Sequence, residues 1–208
     1  MKQITNGLLI AIEGIDGSGK SSLAKNIQKA LAQEFAIELT KEPGATKLGM
    51  ELREILQTQK DPVAAKAEFL LFAADRAQHF DTFILPSLKE GKIIISDRMG
   101  DSSICYQGYG RGLDIETIKE INNWATSKKT PDLIIFIDID VEEAFRRINK
   151  RNYDLTTFEE KKFLEKVRSG FKELYTNKPN ILTLNGLLSQ EELLKQAVKA
   201  IKDKLRQV

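Results

Sequence analysis

Residues Leu8–Ser22 read LLIAIEGIDGSGKSS, an apolar run that breaks into three glycines, a lysine and paired hydroxyls. Glycine has the most conformational freedom to lose on folding, so its accumulation behind a good buried strand needs a reason in the backbone. Gly14, Gly19, Lys20 and Ser21 satisfy the pattern G-x-x-x-x-G-K-[ST], with a strand pattern before it and an amphipathic helical pattern after it. The N–H groups from Gly14 through Ile15, Asp16, Gly17, Ser18 and Gly19, continuing into Lys20, Ser21 and Ser22, form a concave donor cradle for phosphate oxygens. The helix opening near Gly19 adds the positive end of its dipole. Lys20 reaches the β- and γ-phosphates of a nucleoside triphosphate, and the Ser21 hydroxyl is a ligand for Mg²⁺. On this reading any side chain at the glycines would hold the phosphates off the backbone. The plainer alternative is a glycine-rich turn that caps a helix, and the flanking strand and helix argue against it.

Outward from this stretch the chain alternates. Strands are predicted at Leu8–Glu13, Ala36–Glu42, Lys92–Ser96, Leu133–Ile139 and Asn180–Asn185. Several are almost uninterrupted Ile and Leu, as expected of parallel strands covered on both faces. Between them Leu23, Ile27 and Leu31 recur at helical spacing, as do Leu48, Leu52 and Ile55 or Leu56. Pro62 suits the first turn of another helix, Asp114 a cap, and Thr157 and Ser189 each precede a Glu at the capping-box distance. The expected class is α/β: a parallel five-stranded sheet flanked by helices, in the three-layer P-loop NTPase architecture. The 208 residues read as a single domain, 1–208, with no repeat and no linker. Two segments look irregular, Gly100–Gly112 and Arg146–Thr157, and loops with such polar content carry function.

Composition narrows the function classes. With 32 basic and 30 acidic side chains the net charge is +2, which gives no reason to expect nucleic acid or an anionic membrane as partner. One cysteine, Cys105, permits no internal disulfide and suits a reducing cytoplasm. With only His79 beside it, it assembles no zinc site, and the ordinary reading is a buried apolar side chain. No apolar run approaches a membrane span or a signal peptide.

A P-loop by itself does not choose among switch, motor, ligase and kinase. IIISDR places Asp97 at the end of the third strand with Arg98 beside it, facing the same crevice as the P-loop. An aspartate there holds Mg²⁺ through water, and the arginine holds a phosphate bidentately. A structural Asp97–Arg98 ion pair is the alternative.

Taken with KEPGAT (Lys41–Thr46), LLFAADRAQH (Leu70–His79) and DRMGDSSICYQGYGRGLD (Asp97–Asp114), the chain resembles the thymidylate kinase family from about Leu8 to its last helix. The resemblance implies transfer of the γ-phosphoryl of ATP to dTMP, Mg²⁺ dependence and a homodimer. It assigns Asp16 to the deoxyribose 3′-hydroxyl, Phe72 to stacking on thymine, and Arg76, one helical turn on, to thymine O4. It gives Arg53 and Arg98 the dTMP phosphate, Ser103 and Gln107 the base, Tyr106 the exclusion of a 2′-hydroxyl, and Pro43 a place in the pocket wall.

Members of this family supply a catalytic arginine from the P-loop or from a mobile lid. Ile15, Asp16, Gly17 and Ser18 include no base, so the lid at about 146–157 is expected to supply it, through Arg151 and Arg147. The chain departs from the family pattern at Asp154–Leu155, where an arginine usually follows the aspartate, at Met99 and at Lys41. The rival readings are a kinase for another deoxynucleotide or deoxynucleoside, and a nucleotide-binding relative with impaired chemistry.

Overall fold

Alternate residues of the first strand enter two different cores. Leu8, Ile10 and Ile12 pack with Leu23, Ile27, Leu31, Leu193 and Ile201. Leu9 and Ala11 face Phe80, Ile84, Phe136 and Phe171 on the other side. A strand covered on both faces has no use for a polar alternate, which is why the run is apolar throughout. Each buried Leu or Ile contributes roughly 1.5–3 kcal/mol by leaving water.

The computed structural model describes residues 4, 6–58, 63–149 and 158–207. The strands are β1 (Leu8–Glu13), β2 (Ile37–Lys41), β3 (Ile93–Asp97), β4 (Leu133–Asp138) and β5 (Ile181–Asn185). They form one parallel sheet in the order β2-β3-β1-β4-β5. The helices are α1 (Lys20–Leu31), α2 (Lys47–Thr58), α3 (Ala65–His79), α4 (Leu85–Lys89), α5 (Gly100–Ser103), α6 (Ile115–Ala125), α7 (Val141–Asn149), α8 (Phe158–Tyr175) and α9 (Gln190–Leu205). Helices α1 and α9 cover one face of the sheet; α8 and the α3–α4 run cover the other. Among the described residues no helix is long and apolar enough to cross a membrane.

Register decides what meets at the rim. Ile12 of β1 pairs with Asp97 of β3, and Lys41 of β2 pairs with the same residue. Arg98 N donates to Ile12 O at 3.0 Å, and Glu42 N to Asp97 O at 3.1 Å. The P-loop, Asp97–Arg98 and the segment from Glu42 therefore leave the sheet side by side at its carboxyl edge.

Two expectations change. Gly100–Gly112, read as an irregular loop, is helical over most of its length: α5 runs into a π-helical stretch, Ile104–Gly110. Its wide turn, closed by Arg111 N to Tyr106 O at 2.9 Å, buries Ile104 and Cys105 while Tyr106 and Gln107 line a cavity. Likewise α3 continues through a second π-helical stretch, Phe80–Ile84, into α4. The wider turn precedes Pro86, which lacks the N–H of a regular helix. Pro62 and Thr157 lie outside the described residues. Asp114 and Ser189 cap α6 and α9 as expected, accepting from Thr117 N at 2.7 Å and Glu192 N at 3.1 Å.

Candidate functional site

Two cavities open at the carboxyl edge of the sheet. The larger, about 730 Å³, is lined by Asp16, Gly17 and Gly19–Ser22 of the P-loop, by β2 and by Asp97. The smaller, about 280 Å³, is lined by Pro43, Phe72, Arg76, Ser103, Tyr106 and Gln107. Asp16, Glu42, Arg53 and Arg98 belong to both linings, so the cavities meet at a group of charged side chains.

The P-loop owes its shape to its neighbours as much as to any ligand. Gly14 has φ 144°, and a Cβ there would lie 2.7 Å from Ile137 O. Gly17 has φ 79°, and a Cβ would lie 2.4 Å from Ala144 O on α7. Contact with β4 and α7 thus requires these two glycines whether or not a phosphate is bound. Ile15 turns its side chain into the core and offers its carbonyl to Lys20 Nζ at 2.8 Å. Ser18 Oγ lies 3.5 Å from the same ammonium. Burial and the Arg98 charge bring Lys20 down to about 8, against the opposing pull of Asp16, Asp97 and Glu13.

At the end of β3 the two acidic and basic neighbours part company. Asp97 hydrogen-bonds the Ser21 hydroxyl across the crevice. Arg98 turns the other way: Nη2 donates to Asp16 Oδ1 at 2.6 Å and to the Tyr106 hydroxyl at 3.1 Å, and Nη1 to Ser102 Oγ at 3.0 Å. An Asp97–Arg98 ion pair is thus not what holds this corner. Arg98 has φ 74°, a left-handed conformation that a side chain adopts only when its surroundings insist. Burial works to raise the Asp16 carboxyl, but Arg98 and Lys20 outweigh it and hold it at about 2.

Behind Arg98 lies a residue that sequence reading passed over. Glu13, the last residue of β1, is fully buried and accepts from Met99 N at 2.7 Å and from Ser102 Oγ at 2.6 Å. Burial, with the nearby Asp101, pushes its carboxyl up to about 8. It ties the P-loop strand to the segment that carries Arg98. The available signal was a carboxylate inside an otherwise apolar run.

In the smaller cavity Phe72 and Arg76 share one face of α3. Arg76 is 1% exposed, and its Nε donates to Glu42 Oε2 at 2.8 Å. Its Nη1 donates to Asn122 Oδ1 at 2.7 Å and its Nη2 to Ser103 Oγ at 3.1 Å. Gln107 Nε2 donates to Glu68 Oε1 at 2.7 Å, and Arg53 Nη1 to Pro43 O at 2.9 Å. Glu42, Glu68 and Asn122 were not singled out in the sequence, because each acts on a residue far away along the chain. Cys105 and His79 are buried; the imidazole bridges Thr40 Oγ1 at 2.7 Å and Glu42 Oε1 at 3.1 Å.

Of the lid residues, Arg147 lies on α7, where it donates to Glu143 Oε1 at 2.8 Å and Gly186 O at 2.9 Å. It is not among the residues lining either cavity. Arg151 and the segment 150–157 lie outside the described residues.

A central parallel strand running through a glycine-rich loop into a helix, with an aspartate at the end of the neighbouring strand, is the fold of a P-loop NTPase. The model of the thymidylate kinase family matches residues 12–197. A thymidylate kinase from Halothermothrix orenii is 41% identical over 206 residues, covering 94% of this chain and 97% of that relative. One from Staphylococcus epidermidis is 37% identical over 195 residues, covering 92% and 96%. The crystal structure of thymidylate kinase from Ehrlichia chaffeensis aligns with a TM-score of 0.78 at 29% identity, covering 94% of this chain and 99% of that one. The chain belongs to the thymidylate kinase family.

Proposed function

We propose that the protein transfers the γ-phosphoryl group of ATP to dTMP, giving dTDP and ADP, where the two cavities meet. The observation that carries this reading is their shared lining: Arg53, Arg98 and Asp16 stand between a phosphate cradle and a pocket of base size. The cradle takes the triphosphate on its main-chain N–H groups, with Lys20 over the β- and γ-phosphates. Phe72 stacks on the thymine, Arg76 donates to O4, and Ser103 and Gln107 offer further polar contact. Pro43 closes the wall, Tyr106 crowds the 2′ position, and Asp16 accepts from the 3′-hydroxyl. Arg53 and Arg98 hold the acceptor phosphate.

The attacking phosphate oxygen is already anionic, so the reaction calls for no general base. What it requires is alignment and the neutralisation of two polyanions brought together. Ser21 and Asp97 bring hard oxygen donors into contact, which suits Mg²⁺, an ion that takes few protein ligands and keeps much of its water. Ser21 and Asp97 would hold the ion, which would supply positive charge against the phosphates. Arg151 completes the set from the lid, whereas Arg147, held by Glu143 and Gly186 O on α7, serves there only if it leaves those partners. The family resemblance adds a homodimer, and the single buried cysteine fits the cytoplasm.

A coupled ADP-release assay across dTMP, dUMP, dCMP and thymidine, with and without Mg²⁺, tests the assignment. dTMP is expected to be the best acceptor and the rate to vanish without the metal. A better acceptor among the others defeats it. Arg151→Ala is expected to lower kcat by about 10³-fold with dTMP affinity little changed; an unaltered rate rejects the lid arginine. Sedimentation of the purified chain, expected at twice the monomer mass, checks the dimer.

A further inference from the structure

Asn122 lies on α6, 6% exposed, and does not line the acceptor cavity, yet it holds the residue assigned to the base. Its own orientation is settled by a second bond: Nδ2 donates to Gly100 O at 3.0 Å, so Oδ1 must face Arg76. The need for it follows from Glu42. A carboxylate can grip a guanidinium through both oxygens, but Glu42 Oε1 is engaged with His79 Nδ1, leaving only Oε2 for Arg76 Nε. One point of contact leaves the guanidinium plane free to tilt about its own stem. Ser103 is a rotatable hydroxyl and a weaker guide. Asn122 Oδ1 on Nη1 is the second fixed point. With these three bonds made, one N–H on each Nη has no partner among the described residues.

We propose that Asn122 is a positioning residue for base selection: it fixes the Arg76 plane so that the guanidinium meets a pyrimidine 4-keto oxygen and rejects a 4-amino group. A guanidinium only donates. Facing a keto oxygen it is satisfied; facing an amino group, donor meets donor in a buried pocket, and the mismatch is costly only if the arginine cannot turn away. The inference rests on the assignment of Arg76 to the pyrimidine 4-position.

The test compares Asn122→Leu, Asn122→Asp, Arg76→Lys and the Arg76→Lys/Asn122→Leu double variant, with dTMP, dUMP and dCMP as acceptors and a thermal melt of each. Asn122→Leu keeps the shape and removes the acceptor. Its KM for dTMP and for dUMP, which share the 4-keto group, is expected to rise together by about tenfold, the scale of one hydrogen bond. kcat and the KM for ATP stay within about twofold, and dCMP, no longer facing a fixed donor, is used as well as before or better, so the dTMP:dCMP preference falls at least about tenfold. Asn122→Asp keeps an oxygen toward Arg76 but sets another against Gly100 O; it is expected to melt lower and keep the preference. Leucine added to Arg76→Lys should change the preference no further. If Asn122→Leu does not fold, Asn122→Ala takes its place. An unchanged preference in the leucine or alanine variant, or an equal loss in the aspartate variant, overturns the role of Asn122. An unchanged preference in Arg76→Lys overturns the assignment of Arg76 itself.

Discussion

The two cavities are built in opposite ways. The P-loop side of the larger cavity is one contiguous stretch, Gly14–Ser22, whose main-chain N–H groups are the proposed phosphate contacts. The acceptor pocket draws on residues from Pro43, Arg53, α3, the α5 region and, behind them, α6. The cradle needs glycines to let β4 and α7 come close; the pocket needs buried carboxylates and amides to hold its arginines. A site made of backbone is written locally, whereas a site made of side chains depends on partners that only folding supplies. Glu13 links the two, ending the strand that opens into the cradle while bonding Met99 N and Ser102 on the acceptor side.

Changes that act on one cavity and spare the other sharpen this contrast. The largest effect belongs to the cradle. Lys20→Met should lower kcat by about 10²–10³-fold, the scale of one lost electrostatic donor, with the KM for dTMP within about twofold. Steady-state kinetics in both substrates check it, and a parallel rise in dTMP KM would erase the division between cavities. Next comes Phe72→Ala, which should raise the KM for dTMP roughly 5- to 160-fold, given stacking worth about 1–3 kcal/mol, and leave that for ATP unmoved. An effect on ATP instead would remove Phe72 from the acceptor side.

The smallest effect on chemistry, and the most direct on the link, is a stability effect at Glu13. Its folded carboxyl titrates at about 8, above an ordinary value of 4.5. Between those values the folded chain holds a proton that the unfolded chain has released, so stability falls as pH rises through this window and levels off above it. Glu13→Gln removes that slope. Melting of the two proteins side by side from about pH 5 to about pH 8 should show the wild type losing at least about 1 kcal/mol relative to the variant. A constant difference would mean that the carboxylate is as comfortable ionised as protonated.

Much of the fold was legible because it rests on local pattern. β1 has the bounds its apolar run predicts, and the other strands fall within a residue at each end. The caps Asp114 and Ser189 act within three residues of themselves. The π-helical stretch after α5 was not legible. Its glycines and polar residues read as a loop, and only burial of Ile104 and Cys105 in the core makes a helix of it. Phe72 and Arg76 could be paired from their spacing on one helix; that Arg76 is held by Glu42 and Asn122 could not, since they stand 34 and 46 residues away. The Asp97–Arg98 ion pair, weighed only as the alternative, does not form: Arg98, in a left-handed backbone conformation, is bound to Asp16.

The sequence by itself determined the strand–loop–helix unit, the phosphate chemistry proposed for it and the α/β class, since each depends on residues adjacent in the chain or repeating at the period of a helix or strand. Only the tertiary structure decided which carboxylate holds which arginine and where the two cavities join. Those pairings rest on parallel register and on burial, which bring together groups that no local spacing connects.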